Sequence, residues 1–246
     1  MQRIRKIVVC TDTHGDQQDP KAVRLFHEFC RDYKPDLRLH LGDYVNAEAF
    51  RTGAGEHERR VGLKADLDAA FEFLDTFKPT HLLDGNHDDR LPLYVRHSPG
   101  PLADYVRGTL DQLAVLTGRM KTVRLPYDKR RGVIQIGNLK ALHGFFCGVN
   151  APQMHARAFG SCIFGHTHRF SAVSVPGAHS GGRAVARGVG CLCHLDLEYN
   201  ARQVDTLAQA QGWAYGVTDS AGRYWLNNAE VVDGKVAVFE SFKLLG

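Results

Sequence analysis

Five times along this chain of 246 residues, a short apolar or alternating run breaks off on a glycine, a carboxylate, an amide or an imidazole, and that repetition limits the folds open to it. Residues 7–10 run into Asp12-Thr13-His14, 37–41 into Gly42-Asp43, 81–83 into Asp84-Gly85-Asn86-His87-Asp88, 139–142 into His143-Gly144, and 162–164 into Gly165-His166-Thr167-His168. Short runs of this kind suit strands covered on both faces, which belong to α/β architectures. Side chains alternate along extended chain, so Asp12 and His14, like His166 and His168, are expected on one side of their strand ends. Each segment alone reads as an ordinary turn, since Gly and Asn favour turns. Five in order, each bringing polar groups to a place where buried ones need partners, describe one cavity.

The intervening sequence supplies helices. Asp19 and Pro20 form an N-cap and first turn, and Val23, Phe26, Phe29, Cys30 and Tyr33 keep helical spacing up to Pro35. Leu63, Leu67, Ala70, Phe71, Leu74 and Phe77 mark a second amphipathic helix, stopped at Lys78-Pro79. Residues 47–61 are polar and predict a mobile surface loop near the mouth of the cavity. The rhythm then breaks over 91–131, which predicts an inserted cap: a turn at Ser98-Pro99-Gly100-Pro101, then a helix through Leu102, Tyr105, Val106, Leu110, Leu113 and Leu116 ending at Gly118. A hairpin turning at Gly137-Asn138 and a short helix over 152–159 follow. Strands are expected at 170–175, 183–189, 191–197, 213–217, 223–226 and 235–239. The expectation is a single domain over 1–246 with the cap at about 91–131.

Composition adds little. A hydrophobic fraction of 43% is enough for a sizeable core, and a net charge of +4 favours anionic substrates without requiring nucleic acid. The apolar run after the basic start is too brief for a signal peptide or a membrane span, so a cytoplasmic protein without membrane contact is expected. Cys10, Cys30, Cys147, Cys162, Cys191 and Cys193 lack CxxC spacing and read as core thiols, not as disulfides or zinc ligands. His27, His57, His97, His155, His179 and His194 have no matched partner and read as surface or core residues. Arg119, Lys121, Arg124, Lys129, Arg130 and Arg131, with Tyr127 among them, form a basic run that suits either a solvated face or a nucleic-acid backbone.

In their order the five segments, D-x-H, GD, GNHD, H and GHxH, match the signature of the calcineurin-like metallophosphoesterase family, which the chain resembles from residue 7 to about 169. The resemblance implies an α/β fold, the four-layer αββα sandwich, with the cap and a β-rich C-terminal part added to it. It implies two divalent transition metal ions, with manganese foremost and iron or zinc as alternatives. Asp12, His14 and His168 would hold one, Asn86, His143 and His166 the other, and Asp43 would bridge them. Imidazole, amide and carboxylate suit such borderline metals, and a water shared between two of them is acidified enough for in-line attack on phosphorus. His87 resembles the family's non-ligand histidine, which stabilises the phosphate or protonates the leaving oxygen, and Asp88 would orient it or support the ligands. After Gly42-Asp43-Tyr44-Val45 the Ser/Thr protein phosphatases continue Asp-Arg-Gly, whereas this chain has Asn46-Ala47-Glu48, so it looks more like the microbial and phage-borne members. The implied activity is a phosphodiesterase or nuclease, with a small-molecule phosphomonoesterase as the alternative. A non-catalytic scaffold would show decayed ligand positions, and none is decayed here.

Overall fold

The computed structural model describes residues 4–51, 53, 62–176, 182–195 and 204–238. β1 (Arg5–Cys10) leads through α1 (Pro20–Tyr33) to β2 (Leu37–His40), then through α2 (Leu63–Phe77) to β3 (His81–Leu83), and the three strands lie parallel. Asp19 caps α1 by accepting the amides of Lys21 and Ala22 at 2.9 Å each, and Lys34, in the left-handed region at φ 51°, ends it. α3 (Arg90–His97) and α4 (Pro101–Met120) follow, then β4 (Val123–Leu125), which pairs parallel to β3 at the sheet's edge. The stretch expected as a cap over 91–131 thus returns to the main sheet before it ends. α3 stands where no helix was expected, and Pro92 falls in its first turn, where no amide is missed.

A second sheet begins with the hairpin β5 (Val133–Ile136) and β6 (Leu139–Leu142), continues through α5 (Ala151–Phe159) to β7 (Cys162–Phe164), and closes with β8 (Ser171–Pro176) and β9 (Arg183–Gly188) in the order β5-β6-β7-β9-β8. The chain then returns to the first sheet through β10 (Gln211–Thr218), antiparallel to β1, with β11 (Tyr224–Val232) and β12 (Lys235–Val236) outside it, giving seven strands.

Two cores fix the layers. Val8, Cys10, Leu82, Trp213 and Tyr215 from one face of the first sheet pack against Phe26, Phe29, Phe73, Leu74 and Phe77 of α1 and α2. The other face gives Ile7, Val9, Leu39, Leu41 and Leu83 to a core shared with Leu142, Ile163 and Phe164 of the second sheet, on which α5 packs. The order is helix, sheet, sheet, helix. Each large apolar side chain buried this way contributes about 1.5–3 kcal/mol, so the central strands are held from both sides and their C-terminal ends become fixed points.

The strand expected over 191–197 does not form in its described part. Cys191 and Cys193 make only single bridges, to Gln211 and Gln18, because neighbouring amides are drawn to loops: Leu192 N–H to Asp12 O at 3.2 Å and His194 N–H to Gln17 O at 2.9 Å. Within 47–61, Ala47 is buried and Glu48–Phe50 form a 3-10 turn. Most of that loop, His57, His179, Gly177, the end of the 191–197 strand and Phe239 lie outside the described residues. No helix among the described residues is long and apolar enough to cross a membrane.

Candidate metal centre

The ends of β1, β2, β3, β6 and β7 bring all seven ligand-type side chains to one place. Asp12 Oδ1 lies 3.3 Å from His168 Nε2 and 3.8 Å from His14 Nε2, and the two imidazole nitrogens are 3.2 Å apart. On the other side, His143 Nε2 is 3.1 Å from Asn86 Oδ1 and 3.3 Å from Asp43 Oδ2. Asp43 Oδ2 also stands 4.0 Å from His14 Nε2, between the two groups, and Asp43, His143 and His166 form a compact triad. Five of these residues, Asp12, His14, Asp43, His166 and His168, sit in the left-handed region with φ between 52° and 66°. For side-chain-bearing residues that geometry costs of order 1 kcal/mol each and collects at functional sites. It turns successive side chains toward the cavity immediately after each strand stops.

Main-chain bonds lock the loops together. Asp12 N–H donates to Gly42 O at 3.0 Å and His14 N–H to Asp43 O at 3.0 Å, so the first loop rests on the second. Two glycines leave room for this: a Cβ on Gly85 would collide with Asp43 and His143, and one on Gly165 with Thr11 and Asp12. The wholly buried His40 ties the same two loops, its Nδ1 accepting the Gly42 amide at 3.2 Å and its Nε2 facing Thr13 Oγ1 at 3.2 Å. Burial holds it neutral, with its pKa down to about 3.

His87 reaches the cavity with Nε2 4.0 Å from Asp43 Oδ2 and its ring edge-on to His14, centroids 4.6 Å apart. Its orienting partner is the carbonyl of Asn46, 2.7 Å from Nδ1, and not Asp88. The buried Asp88 carboxylate is occupied by three amides, Asp43 and Gly85 at 2.7 Å and Val45 at 3.0 Å, so it pins the β2 and β3 loops to each other. Asn46 is held in turn: Asp66 from α2 accepts its amide at 2.8 Å and that of Ala47 at 2.7 Å, while Arg90 donates to its carbonyl at 2.9 Å. No sequence signal marked Asp66, which looks like any polar residue of a helix's first turn, and a backbone carbonyl has no signature at all.

The charges fit a cation site. Burial alone would raise both carboxylates, yet His168 and His143 hold Asp12 well below its ordinary pKa, and His143 and His87 do the same for Asp43. Burial drives His14 far down and, with His143, takes His166 to about 4, leaving both imidazoles neutral with a lone pair to offer. Burial opposes a proton on His143, but Asp43 raises it to about 9, while Cys191 and Asp12 raise His168 against the same opposition. Two carboxylates are thus balanced by two protons that divalent cations would displace. Asp12 Oδ1 is buried and makes no hydrogen bond, with the His168 and His14 ring nitrogens 3.3 and 3.8 Å away, a spacing that leaves its lone pair to a cation among the three. The Nδ1 of His143 faces Leu41 O at 3.1 Å, which fixes the tautomer that leaves Nε2 free to bind a metal. The residues fit two ions, Asp12, His14 and His168 around one, Asn86, His143 and His166 around the other, with Asp43 shared.

Two cysteines expected in the core stand at this centre. Cys193 is buried, but its sulphur lies 3.9 Å from His168 Nδ1, behind the ring whose Nε2 faces Asp12. Cys147 is exposed, its sulphur 3.0 Å from His166 Nε2. His155 is a core residue as expected, stacked on Phe164 at 4.0 Å and accepting the Phe145 amide on Nε2 at 3.0 Å. The basic run divides. Arg124 turns inward to Asp84 at 2.9 and 3.0 Å and Arg119 pairs with Asp75 at 2.6 Å, whereas Lys121, Lys129, Arg130 and Arg131 are exposed.

No curated protein matches this chain. Among solved structures it is similar to a conserved protein of Streptococcus pneumoniae TIGR4 described as a predicted phosphoesterase, with 13% identity, a TM-score of 0.41, and coverage of 94% of this chain and 91% of that one. It is also similar to a metallophosphoesterase from Sphaerobacter thermophilus, at 14% identity and a TM-score of 0.47 over 93% of this chain and 89% of that one. The family model for calcineurin-like phosphoesterases matches residues 5–170, from the first residue of β1 to just beyond His168, and by that match the chain belongs to the calcineurin-like phosphoesterase family.

Proposed function

We propose that this metal-dependent phosphoesterase hydrolyses phosphodiesters, in nucleic acid or a nucleotide, at a centre of two divalent ions, manganese foremost with iron or zinc as alternatives. When bound, the ions would acidify a water for in-line attack and neutralise phosphate oxygens. The chain's own residues do the rest. Asn46 O and Arg90 keep His87 pointing inward, and although burial lowers the His87 pKa, an incoming phosphate anion favours the protonated ring. Nε2 then gives its proton to the leaving oxygen. Using a main-chain oxygen to orient His87, where the protein phosphatase branch uses a carboxylate, supports membership of the microbial and phage-borne branch.

The observation that carries the diester reading is the tether of the basic turn to the rim of the centre. Tyr127 sets its ring edge on His143 with centroids 5.7 Å apart, stacks on Phe145 at 4.9 Å, and donates its hydroxyl to Gly144 O at 3.1 Å. Lys129, Arg130 and Arg131 follow at once on a turn that Asp128 ties down by accepting the Arg130 and Arg131 amides at 2.9 and 2.8 Å. An aromatic face and cations beside the centre suit a substrate that continues past the scissile phosphate, with a base to stack and further phosphates to neutralise. A small phosphomonoester would use neither. Six free cysteines, one of them exposed, suit a reducing compartment and support a cytoplasmic location. We read 1–246 as one domain, with α3 and α4 as the insertion.

A panel of a phosphodiester dye, a phosphomonoester dye and single- and double-stranded DNA, with manganese present, tests the reading. Turnover of the diesters and DNA above the monoester is expected. Changing Lys129, Arg130 and Arg131 together to Glu should abolish DNA binding, and flatten its fall with salt, while sparing the diester dye. A triple variant that binds and cleaves DNA like the parent would reduce the basic turn to a solvated face, and preference for the monoester dye would move the assignment to the phosphomonoesterases.

A further inference from the structure

We propose that His155 is a positioning residue for the substrate: it holds the peptide that sets the rings of Tyr127 and Phe145, and that ring pair receives a nucleobase next to the scissile phosphate. The inference rests on the diester reading above. Gly144 and Phe145 share one planar peptide, whose carbonyl and amide point in opposite directions. The carbonyl oxygen accepts the Tyr127 hydroxyl at 3.1 Å, and the amide N–H donates to His155 Nε2 at 3.0 Å. Tyr127, the peptide and His155 thus form one line of hydrogen bonds, with the peptide held at both ends. It follows His143 directly in the chain, so the ring pair is set at the edge of the metal centre. Phe145 stacks on Phe159 at 5.8 Å as well as on Tyr127 at 4.9 Å, and Tyr127 meets His143 edge-on at 5.7 Å. Tyr127 and Phe145 are each half-buried, which leaves ring surface for a ligand.

His155 is built to hold that amide. Its Nδ1 lies 2.8 Å from Ala151 O, and a carbonyl can only accept, so Nδ1 carries the proton and Nε2 keeps a lone pair for Phe145. The ring is fully buried, stacked on Phe164 at 4.0 Å and edge-on to Phe146 at 5.0 Å, so it cannot turn away. Ala151 and His155 lie one turn apart on α5, and the helix therefore decides where the loop after β6 is pinned. Without the acceptor the Phe145 amide must find another partner. The peptide then rotates, its carbonyl leaves the Tyr127 hydroxyl, and both rings shift. His143 itself is held separately, through Nδ1 and Leu41 O at 3.1 Å, so the stacking face can be lost while the ligand stays.

Steady-state kinetics of the full chain with manganese, on a diadenosine dinucleotide and on its abasic counterpart, tests this. The parent should show a KM about tenfold lower for the dinucleotide that carries bases, the gain expected from one stacked base. His155→Leu, which keeps the bulk and removes the acceptor, should raise that KM to the abasic value with kcat and metal content nearly unchanged. His155→Gln, whose side-chain oxygen can take the Phe145 amide, should restore the preference. A preference that survives in His155→Leu overturns the inference and leaves the histidine a filler of the core. Loss of kcat and metal on both substrates overturns it too, by placing His155 in support of the ions. Should the variants fail to fold, amide hydrogen exchange in the parent decides: Phe145 N–H should be protected, and further protected by adenosine monophosphate, and an amide that exchanges freely or ignores the nucleotide overturns the inference. Equal KM values for the two substrates in the parent overturn the diester reading and the inference together.

Discussion

The two halves of the centre share Asp43 but differ in their exposure to solvent. Asp12, His14 and His168 are all buried, with the Cys191 to Cys193 segment laid behind them. Of the opposite three only His143 is buried, Asn86 and His166 are partly exposed, and Cys147 stands open to water beside them. The difference follows from construction. The first half is built where β1 and β7 meet under cover of the 191–194 segment, and the second where loops after β3, β6 and β7 meet at the rim. On the two-ion proposal above, the first half would keep its ion and the second would receive the substrate.

Removing what the halves share should have the largest effect. Asp43→Asn is expected to lower the content of both metals and to cut turnover by more than about 10³-fold, beyond the 10–100-fold that loss of an outer partner costs. Elemental analysis with steady-state kinetics reads both, and two tightly held ions with normal turnover in the variant would deny Asp43 its place between them. Next comes His87→Ala, which should lower kcat by about 10² to 10⁴-fold with metal content unchanged. Asp66→Ala should act through the same histidine, cutting kcat by about 10-fold or more, and destabilising the fold by about 1–3 kcal/mol because the Asn46 and Ala47 amides lose their acceptor. Added to His87→Ala, it should lower kcat little further, and fully additive losses would show that Asp66 does not work through the ring. Chelation probes the smallest difference. Dialysis against a chelator should remove one metal per chain quickly and the second slowly, with the slow ion retained better in Asn86→Ala than in Asp12→Ala. Release of both in a single phase would erase the contrast between the halves.

How much of this was legible in the sequence depends on whether a residue acts by its type or by its place. Asp12, His14, Asp43, Asn86, His143, His166 and His168 were readable because each follows a run whose burial fixes where the strand stops. The two sheets were implied by the family resemblance that these segments carry. The place of Cys147 was not readable, because Gly-Phe-Phe-Cys-Gly looks like one more apolar stretch and nothing local says that its sulphur meets the His166 ring. The alternation of Cys191, Cys193 and Leu195 suggested a strand, but amides bonded to the Asp12 and Gln17 carbonyls made a strap of its described part. Asp88 was expected to orient His87 or support the ligands, and its carboxylate instead of reaching His87 takes the amides of Asp43, Gly85 and Val45, since sequence adjacency says nothing of amides arriving from other loops and turns. Most of 47–61, the loop expected at the mouth, lies outside the described residues.

The left-handed backbone at five ligand positions bears on what selection would do to this protein. Glycine would occupy those conformations freely, so Asp12, His14, Asp43, His166 and His168 are held by a demand other than the comfort of the main chain. Selection for heat resistance alone, in a medium stripped of metal, would reward replacing them, and the chain would harden as its chemistry disappeared. The same selection with metal supplied would run the other way, because an ion bound only by the folded chain adds to its stability and guards the residues that hold it.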